Sequence, residues 1–354
     1  MNIYIVAEEK NCINKFVPEL AIALREQGHY VVCNKEVLWT DEVYKFNIVY
    51  FQWPEYVYTF KPQYEHVLFL EERIKEIKRR NIQIISQCHN LTPHDKNKDI
   101  EKLLYKVVYG NCDIMIHMGR YSKQLLESKY TNAKHVIIPH HIYENTYNFD
   151  LDENECKREL GIPLNKQVIL CFGAFRNDDE RQMIFRLKRE LRDYNIVFLT
   201  PGYYKGKIIQ KNIFKGFLSL IKIIKYRMKG MYFINRSLSD RELELYYCAS
   251  DIVLIQRPII LNSGNLPMAF AAGKIVVGPN VGNVGSILKE TRNLTYNPSD
   301  FKSLKQVTLQ SLVLIQTNLG KENKSFAISN WSPTKIAKIL ITHIKYNYEN
   351  YRKN

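Results

Sequence analysis

Paired cysteines are missing from this sequence. Its seven cysteines, Cys12, Cys33, Cys88, Cys112, Cys156, Cys171 and Cys248, are scattered, odd in number and nowhere spaced CxxC. That argues against a disulfide framework or a zinc knuckle and fits a reducing compartment. Long apolar runs are missing too. The most apolar stretch, IFKGFLSLIKII, is broken by Lys215 and Lys222, so no window reaches the ~18 uninterrupted apolar residues that a bilayer-crossing helix needs. With only 15 Gly and 12 Pro in 354 residues, collagen, low-complexity and disordered architectures are excluded. Acidic residues are few: 36 against 51 basic ones, a net charge of +15, with none between Asp193 and Asp240. Such a balance implies an anionic partner, whether nucleic acid, acidic lipid or a phosphorylated small molecule. The start, MNIYIVAEEK, runs straight into a strand pattern without the features of a secretion signal, and the cytosol is the expected compartment.

Glycine-rich turns are absent where two common nucleotide folds require them. The first strand pattern ends in AEEKNCIN, with no small residues to admit a pyrophosphate, and no P-loop lysine motif occurs. A nicotinamide-dependent oxidoreductase is therefore disfavoured. What is present is a regular alternation of β-rich runs and helical patterns, the signature of parallel sheets covered by helices. Strands are expected at 3–7, 30–34, 48–52, 82–88, 114–117 and 135–138, then at 168–172, 196–199, 232–234, 252–255 and 275–277. The helical pattern KFVPELAIALREQGH ends at Gly28, a natural terminator. A polar stretch from Asn145 to Asn154 separates the two series. The length suits two domains, here 1–154 and 155–330, followed by a C-terminal helix from 331 to 354.

Chemistry concentrates between Tyr246 and Leu288. The pattern reads as a buried strand, a loop from Gln256 to Ser263, a small-residue helix from Gly264, and another strand. Asn262, Ser263, Gly264 and Asn265 thus stand at a helix start, whose unpaired amides and positive end suit a diphosphate. An ordinary Asn/Ser cap would look the same. Arg176, just past the buried strand in GAFR (Gly173 to Arg176), is placed to pair with phosphate oxygens, as are Arg181 and Arg257; a salt bridge with the following Asp-Asp-Glu or a solvated charge are the plain alternatives.

The strand, Ser-Gly loop, AAGK helix end and VVGP resemble the donor region of GT-B glycosyltransferases. The segments NIVYFQWPE, SQCHNLTPHD, VIIPHHIYENTY, LGIP with ILCFGAFRN, and LSDRELELYYCASDIVL resemble, in order, bacterial cell-surface polysaccharide glycosyltransferases. The resemblance implies an α/β GT-B fold, two Rossmann-like parallel-sheet domains facing a central cleft. It implies transfer of a sugar from a nucleotide-sugar donor, held by the C-terminal domain, to a glycan or lipid-linked acceptor held by the N-terminal one. It departs from the retaining pattern at Ile260 and Met268, where two glutamates are usual, and at Asp178, where a lysine is common. A nucleotide-sugar 2-epimerase and a non-catalytic nucleotide- or glycan-binding subunit share the architecture and stay open as alternatives.

In SQCHNLTPHD, a base is needed to take the acceptor's proton, and Asp95 or His94 is the candidate; a turn stitched by its own hydrogen bonds is the simpler alternative. By resemblance, His89 lies near the donor, and Asn90, His140 and Gly173 line the cleft. His135, His140 and His141 hint at a metal, but adjacent histidines on a strand face opposite ways and no carboxylate lies at ligand spacing, so neither metal nor cofactor is expected. The basic segment 205–236 interleaves lysines with Ile, Phe, Leu and Tyr. It suits an anionic membrane surface, which would put the enzyme at the inner face of the cytoplasmic membrane, or else a packed helix with a basic face. No nucleic-acid motif accompanies the charge.

Overall fold

The computed structural model describes residues 1–10, 14–93, 99–203, 213–228, 230–233 and 238–351. Within them the chain forms two six-stranded sheets, parallel at every pairing. The first contains β1 (Asn2–Val6), β2 (Tyr30–Asn34), β3 (Ile48–Phe51), β4 (Gln83–Cys88), β5 (Ile114–His117) and β6 (Lys134–Ile137), in the order β2-β1-β3-β4-β5-β6. The second contains β7 (Gln167–Leu170), β8 (Ile196–Leu199), β9 (Met231–Tyr232), β10 (Ile252–Leu254), β11 (Ile275–Pro279) and β12 (Leu294–Tyr296), in the order β12-β11-β10-β7-β8-β9. Every residue of β3, β4, β5 and β8 is buried. Helices cover both faces of such sheets, which is why β3 (IVYF) and β8 (IVFL) read as continuous apolar runs. β12 escaped the sequence pattern because LTY, buried only at Tyr296, offers no apolar run.

By contacts the chain divides into residues 1–145 with 330–354, and residues 146–329. The division falls earlier than the polar stretch suggests. Phe149 and Leu151 pack on Cys156, Leu245, Cys248 and Ala249, and the Asn148 amide donates to Glu244 at 2.9 Å, so these polar-looking residues belong to the second unit. The helix Pro333–Tyr351 packs in the first unit, where Ile336, Ala337, Leu340 and Ile344 share a core with Leu20, Leu24, Ile48 and Ile114.

Each unit locks one strand with a half-buried aspartate. Asp113, just before β5, accepts from the Ile84 amide at 2.7 Å and pairs with Lys78 at 2.7 Å. Asp251, just before β10, accepts from the Val168 amide at 2.7 Å and faces Lys157 at 3.6 Å. Burial, followed by the nearby Glu153, pushes the Asp251 carboxyl above its ordinary range. Both aspartates set the neighbouring strand's position, and with it the loops at the opposite strand ends.

Candidate functional site

Where the order of a parallel sheet reverses, the flanking connections leave on opposite faces and open a crevice at the C-terminal strand ends. In the second sheet the reversal lies between β7 and β10. The loop after β7 and the loop after β10 converge on the Phe172 carbonyl, which accepts from Asn265 Nδ2 at 2.9 Å and from Gln256 Nε2 at 3.4 Å. Gly173 follows at φ +97°, where a side chain would be strained, and a Cβ on Gly202 would meet the Gly173 oxygen at 2.3 Å. Two glycines therefore permit the close turn.

The helix Asn265–Ala271 begins at this crevice with Gly264 as its first flanking residue. The Asn265 amide donates to Ser263 Oγ and the Leu266 amide to the Ser263 carbonyl, each at 3.3 Å. The Ser263 and Gly264 amides lie ahead of these bonds, in the part of a helix start whose donors the helix itself does not use. Of the two asparagines expected at the ligand, Asn262 accepts at Oδ1 from Asn283 Nδ2 at 2.8 Å, while Asn265 holds the Phe172 carbonyl. These side chains shape the loop. Gly282, at φ +60°, lets it pack closely, since a Cβ there would stand 2.3 Å from the Ile260 oxygen.

Arg257 is half-buried, and its Nη2 donates to the Ala174 carbonyl at 3.3 Å. Burial, and then the neighbouring Arg176 guanidinium, lower its pKa against a smaller opposing pull from Glu180. A desolvated cation beside a like charge is an arrangement that an anion relieves. Arg176 itself is exposed, with its backbone amide on Glu180 Oε2 at 2.9 Å. Arg181 is engaged within its own loop. Its guanidinium donates to the carbonyls of Tyr203, Asn177 and Phe175 at 2.9, 2.7 and 2.6 Å and to Asp178 at 3.3 Å, and so braces the loop.

The first sheet reverses between β1 and β3. Beside this point His89, buried after β4, stacks on Trp53 at 4.1 Å and meets Phe16 edge-on at 4.8 Å. Its Nε2 lies 2.9 Å from Gln52 Oε1, so that nitrogen carries the proton as donor. Burial drives its pKa well below the ordinary value and keeps the ring neutral. The Asn90 carbonyl accepts from Tyr109 Oη at 2.8 Å, fixing the turn that carries His89. His94 and Asp95 lie outside the described residues.

The histidine cluster is split. His140 and His141 sit on a loop, not a strand, and both pack on Phe16, at 4.9 and 4.5 Å, contrary to the opposite-face expectation. His140 Nδ1 donates to the His141 carbonyl at 2.7 Å, and His140 Nε2 accepts a 3.4 Å bond from Tyr143 Oη. His135 instead joins His117 at 2.8 Å, with Ser122 Oγ 3.1 Å beyond. Among the described residues, no group of three His, Cys, Asp or Glu could hold a metal ion. Sequence reasoning missed Glu55, an acid buried just after β3 whose charge, after burial, pushes the Tyr105 hydroxyl pKa up. The available signal was a Gln and a Glu directly following a buried strand.

No protein-family model matches the chain, and no curated protein does. Solved structures do. Sucrose-phosphate synthase from Thermosynechococcus elongatus superposes with a TM-score of 0.72 at 13% identity, over 99% of each chain. A glycosyltransferase from Rickettsia africae gives 0.67 at 16% identity, over 100% of this chain and 98% of its own. Anabaena HepE in complex with UDP gives 0.67 at 11% identity, over 98% and 99%. The chain has the α/β fold of these structures, the GT-B fold with two Rossmann-like units.

Proposed function

We propose that this protein is a glycosyltransferase moving a sugar from a nucleotide diphosphate donor to a glycan or lipid-linked acceptor in surface polysaccharide synthesis, working in the cytoplasm at the inner face of the membrane. The observation that carries this reading is the Arg257–Arg176 pair at the strand-order reversal of the second sheet, beside the helix start at Ser263 and Gly264. The fold shared with a UDP-bound structure supports it. As the bond between the sugar's anomeric carbon and the phosphate oxygen breaks, negative charge gathers on the departing diphosphate. The Arg257 guanidinium, held on the Ala174 carbonyl, the Ser263 and Gly264 amides and the exposed Arg176 guanidinium stabilise that charge. No resident metal or cofactor is invoked.

In this reading the acceptor lies against the first unit. Neutral His89, held on Trp53, orients donor or acceptor hydroxyls through hydrogen bonding, and its depressed pKa makes it a weak base at neutral pH. Asp95 or His94 is assigned the proton that the acceptor hydroxyl loses as it attacks. The test is release of nucleoside diphosphate from UDP-, GDP-, ADP- and dTDP-sugars by the purified chain, with and without extracted glycolipid, alongside Asp95→Asn and Arg257→Met. Acceptor-dependent release that both variants reduce supports the reading. Epimerisation of the donor sugar with no acceptor present, read by NMR, would replace it with the 2-epimerase.

A further inference from the structure

At the other end of the second sheet, where β7, β8 and β9 begin, lies a cavity of about 650 Å³ lined by Lys166, Lys188, Arg189, Arg192 and Arg227 together with Tyr194. None of its lining residues is acidic, although Arg192 meets exposed Asp193 at 3.6 Å just outside. Its size is that of a small-molecule site. Lys188 is held in place by donating to the Ile196 carbonyl at 3.2 Å, and Arg227 by donating to the Leu160 carbonyl at 3.2 Å and lying 5.0 Å over the Tyr232 ring. Burial, then the nearby Lys166 charge, lower the Lys188 pKa.

The helix Ile213–Met228 runs into this cavity and carries an exposed apolar stripe, Phe217, Leu220, Ile221, Ile224 and Met228, 45% to 84% accessible and at helical spacing, widened on one side by exposed Leu218. Met228 and Arg227 belong to both features. Apolar side chains of this size left in water on a single helix face mark a surface that meets another phase or partner. A cationic cavity continuous with an apolar stripe matches one ligand chemistry, an anionic head joined to hydrocarbon.

We infer that this cavity seats the headgroup of an anionic phospholipid while the stripe of helix Ile213–Met228 enters the adjoining acyl layer, docking the second unit on a membrane. The inference rests on the proposed membrane association and gives it a site; it does not depend on sugar transfer. The anionic membrane surface is favoured over a second copy of the chain because the lining is uniformly basic, and a surface of the same sign would be repelled.

The test is co-sedimentation of the full chain with vesicles of phosphatidylcholine alone or with part of it replaced by phosphatidylglycerol. Binding is expected only to the anionic vesicles. Arg189→Gln with Arg192→Gln should weaken it about 30-fold, taking a similar loss for each basic group near a charged surface. Ile224→Glu should abolish it. The exposed pair Lys45→Gln with Arg80→Gln, which belongs to the first unit and lines no part of the cavity, should leave it unchanged. Equal loss in both double variants, binding indifferent to lipid charge, or self-association that Ile224→Glu dissolves without vesicle binding would each overturn the inference. Nucleoside diphosphate binding, measured on the same variants by thermal shift, should persist; its absence from the unmutated protein would instead count against the donor site.

Discussion

Arg257→Met separates binding from stability with opposite signs. In the unliganded protein the Arg257 guanidinium is half-buried, its hydrogen bond to Ala174 is a long 3.3 Å, and its charge is disfavoured by burial and by Arg176. Replacing it with an apolar side chain of similar length removes an imperfectly compensated charge. The unliganded protein should therefore keep its stability or gain up to about 1 kcal/mol. Binding should move the other way, because a charge-assisted bond to phosphate contributes about 1.5–3 kcal/mol, a roughly 10- to 150-fold rise in Kd. Differential scanning calorimetry without ligand and titration calorimetry with nucleoside diphosphates read the two effects on the same preparation. A variant that loses more than about 2 kcal/mol of stability while binding nucleotide unchanged would show that Arg257 is a structural brace, and the reasoning about the anion site would fail.

Acid should weaken the first unit. Burial lowers His117 and His140 to about 3 and His141 to about 4, from 6.5, so below pH 6.5 the unfolded chain binds more protons. Stability is then flat above pH 6.5 and falls by about 1.4 kcal/mol per histidine on reaching pH 5.5, which denaturant titrations across that range would detect. Asp251→Ala leaves the Val168 amide without its acceptor and the buried Lys157 without one of its partners; a loss of about 3 kcal/mol is expected, visible as a lowered thermal midpoint. Gly282→Ala pushes a Cβ to 2.3 Å from the Ile260 oxygen at φ +60°. It should shift the loop before Ser263 and weaken nucleotide binding tenfold or more, as titration calorimetry would show. Asp95→Asn should lower turnover with little change in donor binding if Asp95 takes the acceptor proton, a contrast read from kcat against donor Kd.

The α/β architecture was legible because fully buried parallel strands such as IVYF and IVFL declare themselves as unbroken apolar runs between helical patterns. The crevice of the second unit was legible in part. GAFR and Asn-Ser-Gly each follow a buried strand, and the strand order then brings them together. The hydrogen bonds that Arg181, Asn262 and Asn265 make within the unit were not legible, because they depend on loop paths that local patterns do not encode. Arg181 is drawn to the carbonyls of Phe175, Asn177 and Tyr203, the last well removed in sequence. Glu55 went unrecognised for the same reason, since its burial against Tyr105 arises only when β3 and the helix Asp99–Asn111 pack in one unit. The joint presence of a basic cavity and an apolar helix face likewise needed coordinates, as Lys166 and Arg227 are brought together only by the sheet.

The central claim is that the second unit grips a diphosphate through Arg257, Arg176 and the helix start at Ser263. Titration calorimetry of the unmutated protein with matched nucleosides and nucleoside diphosphates tests it most directly. The account predicts that at least one nucleoside diphosphate binds at least a hundredfold more tightly than its nucleoside and that Arg176→Met with Arg257→Met erases the difference. A nucleoside that binds as tightly as its diphosphate, or a difference that survives the double substitution, would contradict it.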